Sequence, residues 1–167
     1  MEHVRIGDVD NAVQPAAVMR QLTEPLGCES LALNYYELRP GDSFAFAYHA
    51  HEVQEEVFVV LTGTATWETD EGVVEVGPNE AIRFGTDEFQ RGWNRGDKRI
   101  RALALGAPLA YGEQPKFADC PHCEDRQRVD IDSPDDEAAA VTVCRACGGE
   151  VGRWVQGPDG ENRRIDL

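Results

Sequence analysis

The stretch Gly41-Asp-Ser-Phe-Ala-Phe-Ala-Tyr-His49-Ala-His51-Glu-Val-Gln-Glu55-Glu56-Val-Phe-Val-Val-Leu-Thr-Gly63 holds two of the four histidines of the chain, two residues apart. Its aromatic and β-branched residues predict strands over 43–51 and 56–61. Side chains alternate along a strand, so His49 and His51 are expected on one face. If that face is a barrel lumen, Glu56 at the start of the next strand adds an anionic oxygen to two imidazoles. Imidazole and carboxylate together suit first-row divalent metals. The plainer alternative is a pair of strand histidines bonded to their neighbours in a lumen that is empty or holds an organic ligand. Glu55 alternates outward and is expected to be a solvated charge.

Outward from this stretch the same rhythm continues. Further strands are predicted over 30–38, 64–69, 73–76, 81–84, 90–94 and 99–106. Arg39-Pro-Gly-Asp42, Asp70-Glu-Gly72, Gly77-Pro-Asn79 and Asn94-Arg-Gly-Asp97 supply the turns. Eight short strands in about 80 residues predict a closed or jelly-roll barrel. Its aromatic residues, among them Tyr36, Phe44, Phe58, Trp67 and Phe84, are expected in the core rather than in a substrate pocket. Before the barrel, 16–22 predicts either a helical turn or an edge strand. There is no internal repeat, no glycine-rich phosphate loop and no serine nucleophile elbow.

His49, His51, Glu56 and Gly63 resemble the first conserved motif of the cupin superfamily. The segment from Gly77 to Asn94 is similar to the second motif in degraded form, with Gln90 at the position of its histidine. The resemblance covers about residues 30–107 and implies a cupin jelly-roll β-barrel with a divalent transition metal held by His49, His51, Glu56 and Gln90. A glutamine amide oxygen is a weaker, neutral donor, so lower metal affinity is expected. The superfamily includes dioxygenases, isomerases and decarboxylases, and its barrels commonly pair, which implies a homodimer.

Composition changes after Pro108. Cys120-Pro-His-Cys123 and Cys144-Arg-Ala-Cys147 are two C-x2-C pairs separated by 20 residues, the spacing of a zinc ribbon. Four thiolates surround Zn2+ tetrahedrally and leave no open position, so this site is expected to be structural. Disulfides or a redox dithiol are the alternatives. Gly148 and Gly149 permit a tight turn, His122 is expected to be a bystander, and Cys28 a small buried apolar residue. The expected organisation is all-β: an N-terminal extension over 1–28, the barrel over 29–108, a linker over 109–119, the zinc ribbon over 120–155 and a loose polar tail over 156–167.

The chain of 167 residues has 31 acidic and 16 basic side chains, a net charge of −15, and only two lysines, Lys98 and Lys116. Acidity spread along the whole chain predicts a halophilic source, because high salt screens carboxylate repulsion. The same field disfavours nucleic acid and anionic membranes as partners. The acidic flanks of the cysteine pairs, including Asp130, Asp132, Asp135, Asp136 and Glu137, favour a protein partner or a structural appendage for the ribbon. The N-terminus lacks the basic start and apolar run of a signal peptide, so a cytoplasmic location is expected. Two functions follow as expectations: a metal-dependent enzyme on a small organic substrate, or a metabolite- or metal-sensing module with the ribbon as its protein contact.

Overall fold

The computed structural model describes residues 1–134 and 138–165. Apart from a three-residue turn of 3-10 helix at Ile6–Asp8, its regular structure is entirely β. In chain order the strands are β1 (Val18–Gln21), β2 (Ala32–Leu38), β3 (Tyr48–His49), β4 (Glu55–Thr62), β5 (Ala65–Thr69), β6 (Gly72–Val76) and β7 (Glu80–Phe84). They continue with β8 (Gln90–Trp93), β9 (Ile100–Ala107), β10 (Lys116–Cys120), β11 (Asp125–Asp132), β12 (Ala139–Cys144), β13 (Glu150–Gln156) and β14 (Asn162–Ile165). No helix among the described residues is long and apolar enough to cross a membrane.

One sheet runs β1-β2-β9-β4-β7, and the other runs β14-β13-β12-β11-β10-β3-β8-β5-β6. The eight predicted strands, found as β2 to β9, therefore close into the expected jelly roll. Its core gathers Leu38, Phe44, Phe58, Val60, Trp67, Phe84 and Ile100, all buried. Phe44 stacks on Trp67 at 5.1 Å and meets Phe58 edge-on at 5.2 Å.

The register explains why one end of the barrel is solid and the other hollow. Leu38 pairs with Ile100, Tyr36 with Ala102, Asn34 with Ala104 and Ala32 with Gly106. On the other side of β9, Val60 pairs with Ala102, Phe58 with Ala104 and Glu56 with Gly106. Cross-strand partners share a face, so these sets are successive layers of the lumen. Inward side chains on β9 shrink from isoleucine through alanine to glycine, and those on β2 pass from leucine to asparagine and alanine. Space opens where the walls are small, and Glu56 projects into it.

Three local expectations change, and one left open between two alternatives is decided. The strand predicted over 43–51 is reduced to Tyr48–His49, with Ser43 only bridging Trp93. The Ser43 hydroxyl donates to the Ala45 carbonyl at 2.8 Å, a local bond that competes with a ladder. The segment 16–22 resolves as an edge strand, β1, paired with β2. The expected linker ends in a strand, because β10 pairs antiparallel with β3 through Lys116–His49 and Phe117–Tyr48. The cysteine-bearing hairpins thereby extend the barrel sheet.

The expected polar tail is also tied down as far as the described residues reach. β14 pairs with β13, and buried Asn162 donates from its side chain to the carbonyls of Ala12 (2.8 Å) and Ala16 (3.0 Å). Its own N–H donates to the Ala17 carbonyl at 2.8 Å. Asp135, Asp136 and Glu137 of the acidic insert, and the last two residues of the tail, lie outside the described residues.

Candidate metal centres and the barrel cavity

His49 leaves β3 into the lumen, and His51 follows just past the strand end with its ring 5.1 Å from that of His49. The donor atoms of His49, His51 and Glu56 all lie within 4.8 Å of one another. His51 Nε2 is 3.5 Å from Glu56 Oε2. Ligands around one ion at about 2.1 Å stand roughly 3 to 4 Å apart, so these three residues fit a shared ion. His49 Nδ1 is 3.1 Å from the Ala47 carbonyl. That acceptor calls for the proton on Nδ1 and turns the Nε2 lone pair toward the cluster, as a metal-ligating histidine requires. Burial, partly offset by Glu56, lowers the His49 pKa and favours the neutral ring.

Gln90 comes from β8, directly opposite His49, and is almost fully buried. Its Nε2 donates to Glu56 Oε2 at 3.0 Å and lies 3.4 Å from His49 Nε2. Its Oε1 is buried without a hydrogen-bond partner. Turning the amide over presents that oxygen to the cluster, where it fits as a fourth donor. All four residues expected at the barrel site are thus brought together. Glu55 points outward and pairs with exposed Arg83 at 2.7 Å.

The cluster lines a cavity of about 1140 Å3, walled also by Tyr36, Phe44, Phe58 and Ala104. Two lining residues, Gln114 and Lys116, escaped the sequence analysis, and Tyr36, buried in the core as expected, lines the cavity as well. Tyr36, expected in the core, is raised well above the usual phenol range by burial and by Glu56, and so remains a neutral phenol. Gln114, in the expected linker, places Nε2 2.9 Å from His51 Nδ1. Lys116, on β10, lines the same cavity with its pKa lowered by desolvation.

The second cluster lies at the far end of β10. Cys120, Cys123, Cys144 and Cys147 have all four sulfurs within 4.8 Å of one another. Cys120 Sγ is 3.7 Å from Cys147 Sγ, and Cys123 Sγ is 3.9 Å from Cys144 Sγ. A disulfide requires about 2.05 Å, and all four cysteines are free thiols. Sulfurs at about 2.3 Å from a tetrahedral ion stand about 3.8 Å apart, so the set fits Zn2+.

The two C-x2-C turns are built alike. Glu124 N–H donates to the Cys120 carbonyl at 2.9 Å, and Gly148 N–H to the Cys144 carbonyl at 2.8 Å. Glu124 and Gly148 both take positive φ, 54° and 71°, a conformation that glycine adopts without strain. Burial works against ionisation of the Cys144 thiol, but the N–H groups of Cys147 and Ala146 pull its pKa down to about 7. His122 bonds the Glu150 carbonyl and is no member of the sulfur cluster. Cys28 is a partly buried free thiol.

Residues 34–106 match the Cupin domain family. The barrel that carries this match has a jelly-roll topology. Among solved structures, a sugar phosphate isomerase of the cupin superfamily from Silicibacter pomeroyi is similar, at 14% identity, covering 98% of this chain and 91% of its own, with TM-score 0.57. The polyketide cyclase RemF from Streptomyces resistomycificus is 26% identical over 70% of this chain and 84% of its own, with TM-score 0.56. A cupin protein from Bacteroides fragilis is 18% identical over 68% of this chain and 90% of its own, with TM-score 0.52. No curated protein matches the chain.

Proposed function

We propose that this protein is a metal-dependent cupin enzyme that acts on a small organic molecule at the barrel site, with a structural zinc ion in the four-cysteine cluster. The observation that carries this reading is the convergence of His49, His51 and Glu56 within 4.8 Å at a cavity of about 1140 Å3. His49, His51, Glu56 and Gln90 would hold a divalent ion there, which would supply Lewis-acid polarisation of a substrate oxygen. Ala47 and Gln114 orient the two imidazoles, and Tyr36, Phe44 and Phe58 supply aromatic walls to the cavity beside them. RemF, a polyketide cyclase, supports a small organic substrate by its likeness.

One observation favours a second reading. Gln90 already bonds Glu56, so the polar cluster is partly satisfied by protein groups alone. On that reading the barrel is a binding module for a metabolite, and the zinc-bearing hairpins contact a protein partner.

Elemental analysis of protein purified without a metal-leaching resin separates the two. The enzyme reading expects one zinc that Cys144→Ser removes and a second ion that His49→Ala or His51→Ala removes. If only the cysteine-bound zinc is found after reconstitution with divalent metals, the binding-module reading replaces it.

A further inference from the structure

Lys116 is one of two lysines in a chain with 31 carboxylates, yet it pairs with none among the described residues. Its Nζ donates to the Gln114 carbonyl at 3.2 Å. Asp130, a carboxylate near enough to act on it, is engaged by Arg145 at 2.8 Å. An ammonium has three donors, so two remain. Taking an unpaired charge partly out of water is costly, and an acidic protein offers many ways to pair it.

The register says where this charge points. Gln90, His49 and Lys116 pair in turn across β8, β3 and β10, and cross-strand partners project to one face. Gln90 and His49 belong to the lumen cluster, and Lys116 lines the same cavity. Glu56 is the acidic group inside, whereas Arg5, Asp8, Asp10 and Glu24 lie exposed on the outer lining and leave Lys116 as the inner cation. One ammonium balances one negative charge, which favours a monoanion over a phosphate dianion.

We propose that the cavity takes a small carboxylate, whose anionic group is held by Lys116 while the remainder of the molecule reaches the cluster of His49, His51, Glu56 and Gln90. Placing a metal at that far end rests on the enzyme reading above; the carboxylate site itself does not. β10, from the end of the expected linker, thus contributes a substrate-binding side chain to the barrel.

The test compares salicylate with salicylamide, which match in size and differ in charge, by calorimetry at fixed ionic strength with metal content measured on the same samples. Wild type is expected to bind salicylate at least about 10-fold more tightly than salicylamide, the scale of one charge-assisted hydrogen bond. Lys116→Met is expected to erase that preference with metal content unchanged, and Lys116→Arg to retain it. A metal-replete Lys116→Met protein that keeps the preference, or a wild type that shows none, overturns the proposal and leaves the metal reading intact. A salicylate preference that depends on Lys116 in a barrel without metal upholds the carboxylate site and removes the metal reading.

Discussion

Lys116 stands directly opposite His49 in the antiparallel register that joins β10 to β3. One end of β10 therefore walls the barrel cavity, and the other ends in Cys120 of the sulfur cluster. A five-residue strand is too short to hold its register without its neighbours. The two candidate metal centres share a structural element, and disturbing one should be felt at the other.

Removing the ion proposed for the sulfur cluster, by a chelator or by Cys144→Ser, is expected to loosen β10 and the β3 edge it covers. Hydrogen exchange of the backbone amides at 48–49 and 116–120 should accelerate, while amides of β2, β4 and β9 stay protected. Uniform protection after zinc loss would show that the barrel holds β10 unaided.

Gln90→His is expected to raise the affinity of the barrel for a divalent ion by about 10-fold, since an imidazole replaces a neutral amide in the same buried position. Gln90→Ala should lower it. Competition against a fluorescent chelator reads both changes, and equal affinities in all three proteins would place Gln90 outside the ligand set.

Gly63 follows β4 at φ +78°, and a Cβ there would stand 2.9 Å from Ile100 Cγ1 and 3.0 Å from the Arg99 carbonyl oxygen. Gly63→Ala therefore combines a left-handed backbone with overpacking. A loss of about 1–3 kcal/mol is expected in denaturant unfolding.

Asn162→Ala removes two donors and leaves the carbonyls of Ala12 and Ala16 without them. A loss of about 1–3 kcal/mol is expected, one unsatisfied buried group or more. Limited proteolysis should then cut within 8–17 and after Gln156 sooner than in wild type, because those segments hold each other. Unchanged cleavage would mean that β13 alone secures the tail.

The two ligand motifs and the barrel were legible because their signals are local. His49 and His51 lie on one strand-period face, Glu56 opens the next strand, and each C-x2-C pair closes within a single turn. Gln90 was placed by its resemblance to a family motif rather than by periodicity.

What the tertiary structure alone decided is which strands became neighbours. Nothing near Lys116 in sequence marks it as a partner of His49, since the pairing follows from how the cysteine hairpins dock on the free edge of β3. The cavity depends on side-chain sizes that diminish together across β2 and β9, a property of register between distant segments. The tail is ordered by Asn162 bonds to the N-terminal extension at the other end of the chain. Sequence by itself determined which residues can ligate and which faces turn inward, because those follow from strand period and turn geometry. Long-range pairing determined what surrounds the ligands, because its free energy comes from contacts that exist only once the distant strands have met.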